Sequence, residues 1–358
     1  MAKANFVRSG VLFLALCLLP LCLLLTGGTS ASAEVIRGNR GVFSGAFSLS
    51  ETYDDNILEY SPADLDLLAG NLKPAKFGIR TPGDFRTSVD ARFDLAPVLL
   101  ESNPTRLRLR LGADLFARNS IENYQAYGLE LKQNFLLHNY VQVTSRYIPR
   151  FYLRNLLFSD STLNRHEYVE AIFSRQSYSF ELGRAFSRYS SASVTYRYDK
   201  TDYNSEFDER DNNANSVSAD LSLGTGKGGI DLTYTHREVS AKGRDMAPAK
   251  EDISNRSDRI GAGLDLGLWR NHASSLSLRP SFVFENQTYT TSKLLDRYHN
   301  GRKDTFYRIS SELSYRWSKD FEQFLRYSYE RNKTNRQGTL DVGDYTANKI
   351  LLGFSRAF

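Results

Sequence analysis

The chain has 358 residues, of which 41% are hydrophobic, 24% charged and 13% aromatic, with 22 Phe and 21 Tyr against 2 Trp. A mean hydropathy of −0.44 excludes a helical membrane protein with several spans, and the composition excludes a disordered, collagen-like or disulfide-stapled chain. The net charge of +5, which falls to +3 without Lys3 and Arg8, is too mild to point to nucleic acid.

The first element in chain order is a leader. Lys3 and Arg8 precede an apolar run from Val11 to Leu25, followed by Gly27-Gly28-Thr29-Ser30-Ala31-Ser32-Ala33. Charged, apolar and small-residue regions in that order make a secretory signal peptide with an A-x-A-like site before Glu34. The run is shorter than the ~20 residues a spanning helix needs. The expected organisation is a cleaved leader over 1–33, a short periplasmic segment over 34–41 and a single barrel over 42–358. Cys17 and Cys22 both fall in the leader, each preceded by leucine rather than a small residue. The mature chain is therefore expected to carry no thiol, disulfide or cysteine metal site.

From Val42 onward one pattern repeats: alternation over ten or so residues, then a polar break. It is clearest at Thr105–Arg118, where Leu107, Leu109, Leu111, Ala113, Leu115 and Ala117 share one parity. Arg106, Arg108, Arg110, Gly112, Asp114 and Arg118 share the other, with Phe116 the one apolar intruder. Side chains on a strand alternate between two faces, so one face is oily and the other charged; at a 3.6-residue period the two sets would smear around a helix. Apolar faces in chain order begin with Phe43, Phe47, Leu49 and Tyr53, then Phe85, Val89 and Phe93, the Thr105 segment, Tyr127, Leu129 and Leu131, and Val141, Val143, Tyr147 and Phe151. Tyr168, Ile172, Tyr178, Phe180 and Leu182 keep a single parity, which predicts one tall strand rather than two. Eight further segments run from Ala192 to Phe358 and bring the expected number to about fourteen strands, within a range of 12–16.

The breaks alternate between short ones, such as His138–Asn139 and Ser318–Asp320, and long polar ones, such as Asp202–Asn215 and Glu285–Asp304. Short turns, long loops and dyad strands are the pattern of an outer-membrane antiparallel β-barrel, with turns in the periplasm and loops outside. A soluble β-sandwich also alternates. Its second face would not be charged on nearly every strand, and its aromatics would not gather at strand ends. Here Tyr53, Phe85, Tyr127, Phe151, Tyr196 and Tyr198 lie towards one end, and Phe43, Phe135, Trp317 and Phe321 towards the other, in the manner of interfacial girdles.

The last strand carries Ile350, Leu352, Phe354 and Phe358 in phase. Phe354 and Phe358 resemble the signal read by the bacterial barrel-assembly machinery, with Arg356 in place of the usual aromatic. The stretch Phe47-Ser-Leu-Ser50-Glu51-Thr52-Tyr53-Asp54-Asp55-Asn56-Ile57 resembles the opening strand of β-barrel porins associated with exopolysaccharide and exosortase systems, and Tyr147-Ile-Pro149-Arg150-Phe-Tyr-Leu-Arg154-Asn155 has the feel of the same group. The motif covers about a dozen residues at one end; elsewhere the match is architectural. The resemblance implies a role linked to polysaccharide export, with polysaccharide export components as partners; the barrel reading adds outer-membrane lipid and lipopolysaccharide.

With the polar parity facing inwards, Arg106, Arg108, Arg110, Arg146 and Arg150 are the candidate selectivity residues. The ladder at 106, 108 and 110 is either a cationic wall that attracts anions such as uronic acid polymers, or a set neutralised across the sheet by Asp90, Asp94 and Glu130. The 31-residue segment Asp54–Asp84 could constrict the lumen, cap the mouth or lie as a surface flap. No enzyme pattern stands out. His272-Ala273-Ser274 falls in a turn, His166-Glu167 lacks a second histidine, and Asp199, Asp202, Asp208, Glu209 and Asp211 read as a solvated loop. No cofactor or metal is expected. The functional expectation is a porin-like outer-membrane channel, with export of anionic exopolysaccharide as what the resemblance implies; the alternative is a non-conducting structural or surface-polymer-binding barrel.

Overall fold

The computed structural model describes residues 41–97, 105–135, 138–160, 165–225, 228–248, 250–271, 273–335 and 343–358. The expected leader and nearly all of the expected periplasmic segment lie outside them. In chain order the strands are β1 (Gly41–Asp54), β2 (Asp84–Pro97), β3 (Thr105–Phe116), β4 (Tyr124–Phe135), β5 (Asn139–Asp160), β6 (Arg165–Ser187) and β7 (Ser190–Tyr203), followed by β8 (Asn212–Thr225), β9 (Gly228–Ala241), β10 (Asn255–Arg270), β11 (Ser275–Tyr289), β12 (Lys303–Arg316), β13 (Phe321–Thr334) and β14 (Tyr345–Ala357). One α-helix, α1 (Pro62–Ala69), lies in the β1–β2 loop.

The fourteen strands form one closed antiparallel barrel in which each pairs with its neighbours in sequence and β1 pairs with β14. Closure leaves no unpaired edge, the condition a sheet must meet in hydrocarbon. The seam runs from Ala46↔Ala357 to Asp54↔Lys349. It continues beyond the ladder through Phe358, whose backbone exchanges two 2.9 Å hydrogen bonds with Gly45. The Phe358 ring lies where a Cβ at position 45 would sit, and the Phe324 ring similarly covers Gly353. At both places only glycine admits the aromatic ring against the backbone.

Burial is inverted relative to a water-soluble domain. Among the described residues the buried set is mostly polar, with Asp94, Arg108, Glu130, Asp199 and Glu330 in it. The outward parity is bare: Leu109 is 42% exposed, Phe180 45%, Ile309 57% and Leu352 61%. These residues belong to a belt drawn from strands all round the barrel, far beyond the few hundred Å² of contiguous apolar surface that water tolerates. The belt faces lipid, and the fold is a transmembrane β-barrel. Towards the loop end, outward tyrosines donate to outward polar side chains, Tyr196 to Asn215 at 2.6 Å, Tyr234 to Asp258 at 2.7 Å and Tyr327 to Asn348 at 2.9 Å. Towards the turn end, Phe43 stacks with Phe93 and Trp269 with Tyr315. Both rims therefore have the amphipathic aromatics of a membrane interface.

The tall strand expected at Tyr168–Leu182 is β6, and with β5 it forms a hairpin of 22- and 23-residue strands among strands of 12 to 16. The ladder of this hairpin shifts register between Ile148 and Phe151 and again between Tyr152 and Arg154. The extra residues change the facing of the strand above them. Phe151, expected in the outer girdle, consequently pairs with inward-facing Phe173 and stacks on it at 5.1 Å.

Candidate functional site

The lumen wall is the polar parity of the strands, and register decides which charges meet. Arg108 of β3 stands opposite Asp94 of β2 and Glu130 of β4. Its Nε and Nη2 donate to Asp94 at 2.5 and 3.2 Å, and its Nη1 reaches Glu130 at 3.4 Å. Arg106 and Arg110 converge on the same Glu130 at 3.2 and 2.8 Å, and Arg92 lies 3.3 Å from Asp94. Arg108 and Glu130 are buried in this network, whereas the Arg110 side chain remains 56% exposed. Asp90, the third carboxylate considered for the ladder, makes no ion pair among the described residues; its Oδ1 instead lies 2.9 Å from where a Cβ at Gly112 would be.

Arg146 faces inwards on β5, opposite Gly128 and Ser177. Arg150 falls within the register shift and donates at 3.2 Å to the Ile121 carbonyl in the β3–β4 loop, so it sits at the loop-end rim, apart from Arg146. The far wall is paired strand to strand. Arg308 meets Glu330 at 2.7 Å, Lys349 bridges Glu330 at 2.9 Å and Asp54 at 3.3 Å, Arg259 meets Glu285 at 2.5 Å, and Arg326 bonds Glu312. A cavity of about 620 Å³ lies against this wall, lined in part by Arg86, Arg279, Ser281, Arg308, Ser310 and Ser328.

The motif at 50–56 is an anchoring device. Ser50 faces inwards beside Gly353, and Glu51 faces outwards, accepting from the Thr87 hydroxyl. Thr52 is buried, the Tyr53 ring packs tilted against Phe85 at 5.1 Å, and Asp54 accepts from the Asn56 backbone N–H at 2.9 Å. Asp55 accepts from both the backbone and side chain of Asn348 at 2.7 Å. Asn56, only 2% exposed, donates to the carbonyls of Tyr60 and Thr346 at 2.9 and 3.0 Å and accepts from the Tyr60 N–H at 2.8 Å. Together they fix the start of the long loop to β14.

That loop is docked. Ser61 caps α1 by accepting from the Asp64 N–H, Pro62 occupies its first turn, and a buried Lys76–Asp64 pair at 2.8 Å ties the helix to the 3-10 turn Pro74–Lys76 on the returning limb of the loop. Leu58, Tyr60, Phe77 and Ile79 bury themselves with Tyr152 of β5, flanked by Ile121 and Ile172. Arg154 donates to the Leu58 carbonyl at 2.6 Å and lies over the Tyr60 ring, and Asn155 donates to the Ala75 carbonyl at 3.0 Å. The segment thus reaches from β14 to β5, and its Glu59, Tyr60 and Lys76 line a loop-end vestibule of about 780 Å³ together with Arg237, Arg259 and Arg308. Of the three placements the sequence left open, a free surface flap is the one this excludes.

Glu122, at the rim beneath this loop, has no hydrogen-bond partner for its buried Oε1. Burial pushes its carboxyl up to about 8 against the pull of Arg154 and Arg150. Burial likewise pushes the Tyr60 hydroxyl to about 12. Neither group, nor Tyr152, carries a sequence signal of its own; the Asn56-to-Tyr60 spacing is the nearest local hint of the docked turn.

No family model matches the sequence, and no curated protein does. Among solved structures, a bacterial polysaccharide outer membrane secretin aligns over 88% of this chain and 98% of its own at a TM-score of 0.49 and 9% identity. An anion-selective porin from Comamonas acidovorans aligns over 89% and 99% at a TM-score of 0.41 and 11% identity. In-vitro folded OmpT, an outer membrane protein of Vibrio cholerae, aligns over 91% and 100% at 0.46 and 8%. The likeness is one of barrel architecture.

Proposed function

We propose that the chain is a porin-like channel of the bacterial outer membrane that passes anionic solutes. The observation that carries this reading is the inside-out barrel: an apolar belt outside, and within it a charged lumen holding cavities of about 620 and 780 Å³. Barrels of ~8 strands are filled by their own side chains, whereas those of ~16–18 leave an aqueous passage; fourteen strands fall between, and the two cavities support the reading of a narrowed passage. In this reading residues 1–33 export the chain, Phe354 and Phe358 present it to the barrel-assembly machinery, and lipid and lipopolysaccharide surround it. Export of anionic exopolysaccharide, together with polysaccharide export components, is the finer proposal; it rests on the resemblance of Ser50–Asn56 to exopolysaccharide-associated porins.

A second reading has a specific observation behind it. The β1–β2 loop docks between β14 and β5, and the lumen arginines are cross-bonded, which favours a non-conducting barrel whose loops bind surface polymer. Planar-bilayer recordings of the refolded chain separate the two. A stable open level with anion preference supports the channel, and silence over many insertions supports the structural barrel.

A further inference from the structure

One sector of the lumen breaks the pairing rule of the rest. On β5, β6, β7 and β9 the inward positions include Arg146, Arg175, Arg197 and Arg237. Asp199 is the one carboxylate within ion-pair distance of any of them among the described residues. Arg197 takes its Oδ1 at 2.7 Å, and Arg237 reaches its Oδ2 only at 3.9 Å. Arg175 donates to the Thr201 hydroxyl at 3.3 Å and lies over the Phe173 ring. Arg146 makes no hydrogen bond or ion pair among the described residues. Arg175 lies within electrostatic range of Arg146 and Arg197, and Arg237 within range of Arg175 and Arg197; the Arg197 and Arg237 side chains are 44% and 37% exposed.

By contrast, the ladder that dominates the sequence is held by two carboxylates, Asp94 and Glu130, with Arg108 sealed between them. Between these four arginines, which share the single carboxylate of Asp199 among the described residues, the wall carries small hydroxyl residues. Ser177 and Ser179 stand beside Asp199 and Arg197, and Ser216 lies between Arg197 and Arg237. From β5 to β9 the array spans four strand spacings, roughly 19 Å of wall at ~4.8 Å each. A single small anion cannot bridge it.

We infer that Arg146, Arg175, Arg197 and Arg237 form a binding subsite for a linear polycarboxylate glycan, an oligomer of uronic acid residues. Guanidinium forks take carboxylates in two-point contacts; Ser177 is buried and accepts from Arg197 Nη2 at 3.0 Å, while Ser179 and Ser216 offer donors and acceptors to sugar hydroxyls. The inference deepens the proposed channel function and rests on its water-filled lumen.

The test is calorimetric titration of the full-length refolded protein in detergent with trigalacturonate, galacturonate monomer, maltotriose and tripolyphosphate. Trigalacturonate is expected to bind at least tenfold more tightly than the monomer or maltotriose. Arg146→Gln, which removes no hydrogen bond or ion pair among the described residues, and Arg197→Lys, which keeps the charge, are each expected to weaken it severalfold. Equal binding of maltotriose, or wild-type affinity in both variants, would overturn the subsite. Tripolyphosphate binding as tightly as trigalacturonate would overturn the glycan assignment. The measurement needs no conducting pore, so tight binding with silent bilayers would sink the channel reading and leave the subsite standing.

Discussion

Arg108 and Arg146 have the same side chain on the same lumen wall and opposite prospects. Arg108 is enclosed by Asp94 and Glu130, so its charge is satisfied within the sheet. Removing one partner of a buried pair strands the other, at a cost of about 3–5 kcal/mol. Arg108→Ala is therefore expected to lower the unfolding free energy of the refolded barrel, read from its urea transition, by an amount of that order; a transition that barely moves would show the network to be ornamental. Arg146, unencumbered, should govern selectivity instead. Arg146→Glu is expected to shift the reversal potential towards cations in a salt gradient, and to do so with little change in stability. The sequence made the arginine ladder conspicuous and identified Asp94 and Glu130 as possible partners. It could not show that Asp90 stays out of the network, since that depends on which side chains meet across the register.

At the level of elements, the docked β1–β2 loop is where chemistry and fold meet. Asn56 makes three hydrogen bonds that pin it, each worth about 1 kcal/mol net. Asn56→Ala should cost roughly 2–3 kcal/mol of local docking, and is expected to raise proteolytic cleavage between α1 and β2 and, if the chain conducts, the single-channel current. Glu122 adds a dependence on pH. Its carboxyl is raised from 4.5 to about 8 by burial, so the neutral form is the one the docked state favours. The associated stability is complete below the ordinary carboxylate range, erodes as pH climbs, and is lost once pH passes about 8. Amide exchange of the loop should therefore quicken from pH 5 to pH 9 beyond the intrinsic chemical rate, and Glu122→Gln should abolish that excess. The strands were legible because period-2 alternation survives any partner. The docking was not, because Leu58, Phe77 and Ile79 are scattered in a loop without periodicity and their partner Tyr152 lies beyond a β-bulge. The same bulge turned Phe151 inwards against its sequence parity.

At the scale of the whole molecule, the lipid-facing belt makes the barrel a membrane protein. A charge in the middle of that belt costs about 2–4 kcal/mol at mid-depth. Leu109→Arg, at a position 42% exposed on the outer face, is expected to destabilise the barrel in lipid vesicles by that amount. An unchanged unfolding free energy there would contradict the lipid-facing assignment of β3. The strand count was readable because charged faces, oily faces and the alternation of short and long breaks all pointed to the same architecture. The seam carries a temporal consequence. Ala46–Asp54 bonds to Lys349–Ala357, partners some three hundred positions apart in the polypeptide, so the cylinder cannot be completed until its most distant segment has arrived. Such long-range pairing is intrinsically slow. Until it forms, both flanking strands present raw amide edges, and any agent that shields them during that interval decides whether the chain inserts or aggregates.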